Sequence, residues 1–310
     1  MRVLITGGAG HIGARIIEKS LFEDIVVVDN LSTQRFSTFF NLRGRPIRLI
    51  EKDARELQTS DLAKIGSIDA LIHLAAITDA SGTAHLGEQV IEHNSSATQR
   101  VIEICCELDI PLIFPSTTSV YGTQSDLVDE ECTDLHPQSP YAESKLYEES
   151  LVQKFKREGL KATILRLGTI SGVSPGMRFH TAVNRFCWQA ANGEMVTIWR
   201  TAMDQKRPYL SLLDFERAIT HILENRIFDS SIYNVLTSNL TVRDIIMYIE
   251  SALGHEIAIT FVDSPIMNQL SYEVSSEKFR KLNFNFSGNI ESDIKATLDL
   301  LCGLKGYSLE

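Results

Sequence analysis

The chain has 310 residues, 44% hydrophobic and 23% charged, with a formal net charge of −10. That length suits one large or two intimate domains with a substantial core, and the acidic balance argues against a nucleic-acid partner, which needs basic surface. No apolar run approaches a membrane span and the N-terminus opens as a strand rather than a signal peptide. Five cysteines without metal-ligand spacing suit free thiols in a reducing cytoplasm.

The first predicted element is a buried strand, Val3 to Thr6. Three closely spaced glycines follow, then an apolar periodic segment through Ile12, Ile16 and Ile17, which reads as strand, tight turn, helix. Gly8-x-Gly10-x-x-Gly13 matches the dinucleotide fingerprint, and Gly7-x-x-Gly10-x-x-Gly13 is satisfied by the same residues. Glycine is needed where the turn takes backbone angles closed to other residues and where a diphosphate approaches the bare chain. The amides at the helix start, around His11 and Ile12, would then hold the phosphates. A glycine-rich hairpin would have no strand before it and no acid after it, and both are present. Asp24 to Asp29 is a second buried strand ending in a carboxylate, roughly 20 residues beyond the glycines. Asp29 would accept hydrogen bonds from the adenine ribose and repel a 2′-phosphate, which favours NAD over NADP.

After Asp29 the segment from Asn30 to Arg45 is polar and irregular, with Leu31, Ser32 and Thr33 placed to wrap the adenosine end. Pro46 to Ile50 is the third strand. Asp53, followed by Ala54, could bond the adenine amino group, or equally cap a helix. Asp69 to Leu74 is the fourth strand and runs into Ala75 and Ala76, small residues that let the chain pass close to a cofactor. Thr78 to Gly87 reads as loop, and Glu88 to Leu108 has helical periodicity.

Pro111 to Pro115 is the fifth strand, ending in the hydroxyl cluster Ser116, Thr117, Thr118, Ser119. Hydroxyls at the C-terminal edge of a parallel sheet lie where ligands bind. Ser139 and Pro140 then form a helix start, with Ser as the cap and Pro in the first position. That helix runs to about Arg157 and places Tyr141 and Lys145 one turn apart on one face. An unperturbed tyrosine titrates at about 10, and each unit of depression needs about 1.4 kcal/mol of differential stabilisation. Lys145 together with a positive nicotinamide ring could supply several units at short range. Ala162 to Leu167 is the sixth strand, and the alternation to this point is that of a doubly wound, mostly parallel sheet.

Beyond Gly168 the character changes. A Gly/Pro/Ser turn at Gly172 to Gly176 precedes a helix from about His180 to Asn192, a short strand Val196 to Trp199 and a charged loop from Arg200 to Arg207. Leu210 to Asp214 leads into a helix ending near Asn225. Strands are expected at Ile232 to Leu236 and Ile257 to Val262, with a helix capped by Thr241 between them. Helices near Ser276 to Leu282 and Ile290 to Leu301 finish the chain. The expected organisation is a Rossmann-type domain over 1–168, rejoined by segments near 207–236. A smaller C-terminal α/β substrate domain would comprise 169–206 and 237–310.

Taken in order, the Gly7–Gly13 turn, Asp29, Asp53, Leu74-Ala75-Ala76, Asn94, Ser116-Thr117 before Val120-Tyr121-Gly122, and Tyr141-x-x-x-Lys145 resemble the extended short-chain dehydrogenase/reductases. Within them the likeness is to the NAD-dependent sugar-nucleotide epimerase/dehydratase group. It runs from Met1 to about Asp214 and thins after Leu240. The resemblance implies that Tyr141 takes a sugar hydroxyl proton as C4 hydride leaves for NAD. Lys145 would hold the nicotinamide ribose and lower the Tyr141 pKa, and Thr117 would bond the same sugar oxygen. It further implies Asn94 at the cofactor side, Arg207 on the nucleotide diphosphate, Thr78, Thr118 and Thr169 around the substrate, no metal, and a homodimer through the helices at 88–108 and 141–157.

Three departures narrow the expectation. Hexose 4,6-dehydratases carry Asp-Glu after the threonine, where this chain has Thr118-Ser119, neither a competent acid or base near neutral pH. Sugar 4-epimerases commonly show Arg-x-x-Asn, where this chain has Arg166-Leu167-Gly168-Thr169. A further phosphate-binding arginine is replaced near Leu270. The expectation is an NAD-dependent 4-epimerase of a nucleoside-diphosphate sugar, a UDP-sugar first. The alternatives are another redox reaction of the same group (dehydratase, reductase or dehydrogenase) or a non-catalytic NAD sensor.

Overall fold

The computed structural model describes residues 1–19, 21–42, 44, 47–78, 86–263 and 271–304. The chain begins with β1 (Arg2–Thr6), α1 (His11–Lys19), β2 (Asp24–Asp29), β3 (Ile47–Glu51), α2 (Thr59–Leu62), β4 (Ala70–His73), α3 (Gly87–Leu108) and β5 (Leu112–Thr117). It continues with β6 (Leu127–Val128), α4 (Pro140–Lys156), β7 (Ala162–Leu167), β8 (Thr169–Ser171), α5 (Ala182–Ala191), β9 (Val196–Trp199) and β10 (Lys206–Ser211). The last third holds α6 (Leu212–Glu224), β11 (Ile232–Val235), β12 (Ser238–Thr241), α7 (Val242–Leu253), β13 (Ile259–Val262), β14 (Glu273–Val274), α8 (Glu277–Arg280) and α9 (Ile290–Leu300).

Seven parallel strands form the main sheet in the order β3-β2-β1-β4-β5-β7-β11. Its strands are apolar on both faces because helices cover both. Val3 and Ile5 join Ile16, Ile17, Phe215 and Ile219 on the α1 and α6 side. Leu4, Val26 and Val28 join Val101, Ile104 and Val152 on the α3 and α4 side. Chain direction through the sheet reverses between β1 and β4. The crevice beyond the C-terminal ends of those two strands is where such sheets bind ligands.

A third core packs α5, α7 and α9 against β9, through Val183, Phe186, Val196, Ile245, Ile249, Ile294 and Leu298. Small sheets complete this half: β12-β10-β8, the parallel pair β13-β9, and β14, which pairs in parallel with β6. Asp214 of α6 is fully buried and ties the halves together, accepting from Thr237 Oγ1 at 2.7 Å and from the amides of Ser287 and Gly288 at 2.8 and 2.9 Å.

The predicted elements of the first half sit where the periodicity placed them. Pro46 of the expected third strand, and 79–85 of the expected loop, lie outside the described residues. In the second half, three differences bear on the site. The charged loop ends earlier than expected, because Lys206 and Arg207 already belong to β10, with Arg207 opposite Leu240 of β12. Thr169 is a strand residue paired with Tyr209. The last predicted strand is confined to Ile259–Val262, the stretch that pairs with β9. Among the described residues, no helix is long and apolar enough to cross a membrane.

Candidate active site

The turn after β1 requires its glycines. Gly7 has φ +69°, and a side chain there would strike the Ala75 amide 2.5 Å away, so β1 and the segment after β4 touch backbone to backbone. At Gly13 a Cβ would collide with the Gly8 backbone, which lets the first turn of α1 close onto the loop. Such a turn leaves the unpaired amides of the helix start facing the crevice, the arrangement that holds phosphates. Asp29 at the end of β2 accepts from the amides of Ala9 (2.9 Å) and Leu31 (2.8 Å), so it fixes the turn and the adenosine-side loop together. Asn30 bonds Asp53 Oδ2 at 3.1 Å and receives the Ser32 amide. Asp53 caps a short helical turn beginning at Ala54, and the Arg55 guanidinium beside it holds its carboxyl down at about 2. The capping role of Asp53 is therefore realised, with its carboxylate at the same end of the crevice as Asn30.

A strap crosses over this turn from the other half of the molecule. Ser174 Oγ donates to the His11 carbonyl at 2.8 Å, Ser37 Oγ to Pro175 O at 2.9 Å and Arg35 to Gly176 O at 3.2 Å. Gly176 lies so close that a Cβ would meet Ala9 O at 2.6 Å. Burial, reinforced by Arg178, Arg35 and Arg15, pushes His11 down to about 4, so its imidazole is neutral. Neither the strap nor its arginines were read from the sequence, because each contact spans more than a hundred residues.

The helix carrying Tyr141 and Lys145 starts as its sequence dictates: Ser139 caps it by accepting the Ala142 amide at 3.2 Å, and Pro140 occupies the first turn. α4 packs on α3, on β5 and on the helical turn Thr118–Tyr121, which brings Tyr141 and Lys145 to the side of the crevice where Thr117 ends β5. The four hydroxyls there divide. Ser116 donates to Glu149 Oε1 at 2.5 Å, and Thr118, 2% exposed, donates to Leu167 O at 3.2 Å. Both hydroxyl protons are thereby committed to the scaffold. Thr117 receives the Ser119 amide at 3.1 Å and keeps its own proton available, and Ser119 stays part-exposed beside it.

Asn94, expected at the cofactor side, is fully buried, and its amide bonds both Ile77 backbone groups and Ser144 Oγ at 3.1 Å. It braces the segment after β4 against α4. Burial first, then the charge of Glu148, pushes the Tyr141 phenol up, with Arg178 partly opposing them. Lys145, 2% exposed, is ion-paired with Glu148 at 3.0 Å and stands over the Phe114 ring at 4.7 Å.

Arg166 and Glu149 form a second buried pair, with two near-parallel bonds of 3.0 and 2.8 Å, and the guanidinium stacks on Tyr121. Sequence reasoning missed Glu148 and Glu149, since adjacent acids on a helix normally mark a solvated face. Thr78 is bonded by Arg178, while Thr169 and Arg207 sit on the adjoining strands β8 and β10. Leu270 lies outside the described residues. Among the described residues, no group of three or more His, Cys, Asp or Glu could hold a metal ion.

A doubly wound sheet with a glycine turn after its first strand and a carboxylate ending its second is the architecture that binds dinucleotides. The chain belongs to the NAD dependent epimerase/dehydratase family, whose model matches residues 3–235. NAD is accordingly its cofactor, and the bare-backbone cradle at Gly7–Gly13 fits it. The chain is 30% identical over 276 residues to the uncharacterized UDP-glucose epimerase YtcB of Bacillus subtilis (strain 168), covering 85% of each. It is 25% identical, with a TM-score of 0.85, to a UDP-glucuronic acid 4-epimerase from Bacillus cereus solved with UDP-glucuronic acid and NAD, covering 97% of this chain and 99% of that one. An NAD dependent NDP-hexosamine 5,6-dehydratase involved in tunicamycin biosynthesis is also 25% identical, with a TM-score of 0.81 and 96% of both chains covered.

Proposed function

We propose that this enzyme is a 4-epimerase of a nucleoside-diphosphate sugar, a UDP-sugar first. The observation that carries the reading is the set Thr117, Tyr141 and Lys145 around one crevice, with Thr118 and Ser119 where a dehydratase would need an acid and a base. In this reading Tyr141 takes the proton of the sugar 4-hydroxyl, Thr117 donates a hydrogen bond to the same oxygen, and Lys145, held by Glu148, stands one turn along α4 from Tyr141. Bound NAD supplies the hydride acceptor and returns the hydride. Tyr141 then gives its proton back to the oxygen of the inverted centre, so the protein ends each cycle unchanged. Gly7, Gly10, Gly13, Asp29, Leu31, Asp53 and the Leu74–Ala76 segment hold the dinucleotide. Arg207 and Thr169 contact the nucleotide end of the substrate.

The test is incubation of purified protein with UDP-, GDP-, CDP- and dTDP-sugars, uronic acids included, with the C4 configuration followed by NMR. Inversion at C4 with no net NADH is expected. Accumulating NADH beside a stable oxidised product, or loss of water from the sugar, would overturn the assignment in favour of a dehydrogenase or a dehydratase.

We also assign the enzyme to the cytoplasm as a homodimer, joined through the outward faces of α3 and α4. Leu108 and Tyr147 stand exposed on those helices, at 42% and 52%. Sedimentation analysis of wild type and Tyr147→Glu checks this, with dissociation of the variant expected.

A further inference from the structure

A buried carboxylate shares the lysine of the site. Glu148 is fully buried, one turn beyond Lys145 on α4, and its Oε2 takes the Lys145 ammonium at 3.0 Å and the Thr98 hydroxyl at 2.5 Å. Because Thr98 gives its proton to Glu148, it must accept at its oxygen from His73 Nε2, 3.0 Å away. That fixes the tautomer, and His73 Nδ1 in turn accepts from Thr6 Oγ1 at 2.7 Å. Burial, with Lys145 adding to it, pushes His73 down to about 3, so the imidazole is a neutral link. One directed chain therefore runs from Thr6 on β1, beside the glycine turn, through β4 and α3, to Glu148. It ends on the ammonium of Lys145.

A buried carboxylate is costly unless it is paired, and in a network of this kind the charges act at short range in a low dielectric. An unpaired Lys145 would present a full positive charge to the phenol one turn away. Paired with Glu148 it presents little more than a dipole. The other charged or titratable groups nearby are Glu149, consumed by Arg166, and Arg178, which follows the strap, bonds Thr78 and acts on the phenol.

Resting on the epimerase reading of Tyr141 and Lys145, we propose that Glu148 is a positioning residue: a buried counter-ion that fixes the Lys145 ammonium and offsets its charge. Ionisation of Tyr141 is thereby made to depend on the positive ring of oxidised NAD. The base becomes competent when the hydride acceptor is present in its oxidised form and is reprotonated as that charge disappears. Proton and hydride transfer are tied together through electrostatics.

The test uses the NAD-loaded protein and needs no substrate. The ultraviolet absorbance of tyrosinate is titrated in wild type and in Glu148→Gln, each corrected by subtracting the same protein carrying Tyr141→Phe. Glu148→Gln should lower the apparent pKa of Tyr141 by about one unit, the size expected when a near charge is removed, and should do so again in the NADH-loaded protein. Glu148→Met fills the same volume without charge and serves if the glutamine variant does not fold. An unchanged or raised phenol pKa overturns the proposal. A Glu148 that only supported the fold would lower the melting temperature and leave the titration in place. If Tyr141→Phe instead retains turnover on a nucleotide sugar, the epimerase reading itself has failed.

Discussion

Removing the Tyr141 oxygen takes away the only group in the proposed mechanism that exchanges a proton with the sugar. Tyr141→Phe should reduce turnover by about 10³-fold, within the range for loss of a positioned acid–base group, while equilibrium dialysis finds NAD bound as before. Of the two buried ion pairs, Arg166 with Glu149 is the structural one. Glu149→Gln leaves an uncompensated guanidinium that is 3% exposed. A loss of about 3–5 kcal/mol in urea unfolding is expected, with Glu149→Met/Arg166→Met markedly milder. Tyr141 and Lys145 were legible in the sequence because a spacing of four on a capped helix fixes their common face. Glu148 and Glu149 follow immediately on the same helix and were not. Which side of α4 is dry depends on where α3, β5 and β7 lie, and nothing local to the sequence states that.

At the scale of elements, α4 is the piece whose start decides where the site falls. Its Ser139 cap and Pro140 are written in adjacent letters, so its first turn could be placed from sequence alone. Ser139→Ala should cost about 1 kcal/mol by chemical denaturation. The sheet β12-β10-β8 is the opposite case. Its strands are three to six residues long, β10 begins Lys-Arg-Pro, and Pro208 cannot donate to a ladder. A short, charged, proline-bearing segment reads as loop, and only its neighbours make it a strand. Arg207 and Thr169 were singled out as single residues while the sheet that presents them went unseen. Long apolar strands such as β1, β2 and β7 carry their own evidence, whereas three-residue strands borrow theirs from partners.

Across the whole molecule, the junction between the halves carries a pH dependence. Burial, with Asp214 adding to it, raises Asp293 of α9 to about 7, against Ser211, Ser171 and Arg15, which favour its charged form. The folded protein thus binds a proton that the unfolded chain, with an ordinary aspartate near 3.8, has released. Stability from this residue is full below the unfolded value and falls as pH rises towards 7. His11 and His73, depressed to about 4 and about 3, act in the opposite sense and withdraw stability as pH falls below 6.5. Asp293→Asn should leave unfolding near pH 4 unchanged and raise stability at pH 8, by on the order of 3 kcal/mol, as measured by urea denaturation at the two pH values. The division of labour between the halves was readable from the sequence only as a change of character after Gly168. The contacts that join them, Asp214 to the Ser287 and Gly288 amides, pair residues dozens of positions apart.

The strap from Val173 to Gly176 has a further consequence. It is fastened to the carbonyl of His11, to Ser37, to Arg35 and to Arg15, on both flanks of the glycine turn. The strap can lift off the glycine turn only when these fastenings open together, so baring the turn is a local unfolding event whose rate follows the free energy of unhooking.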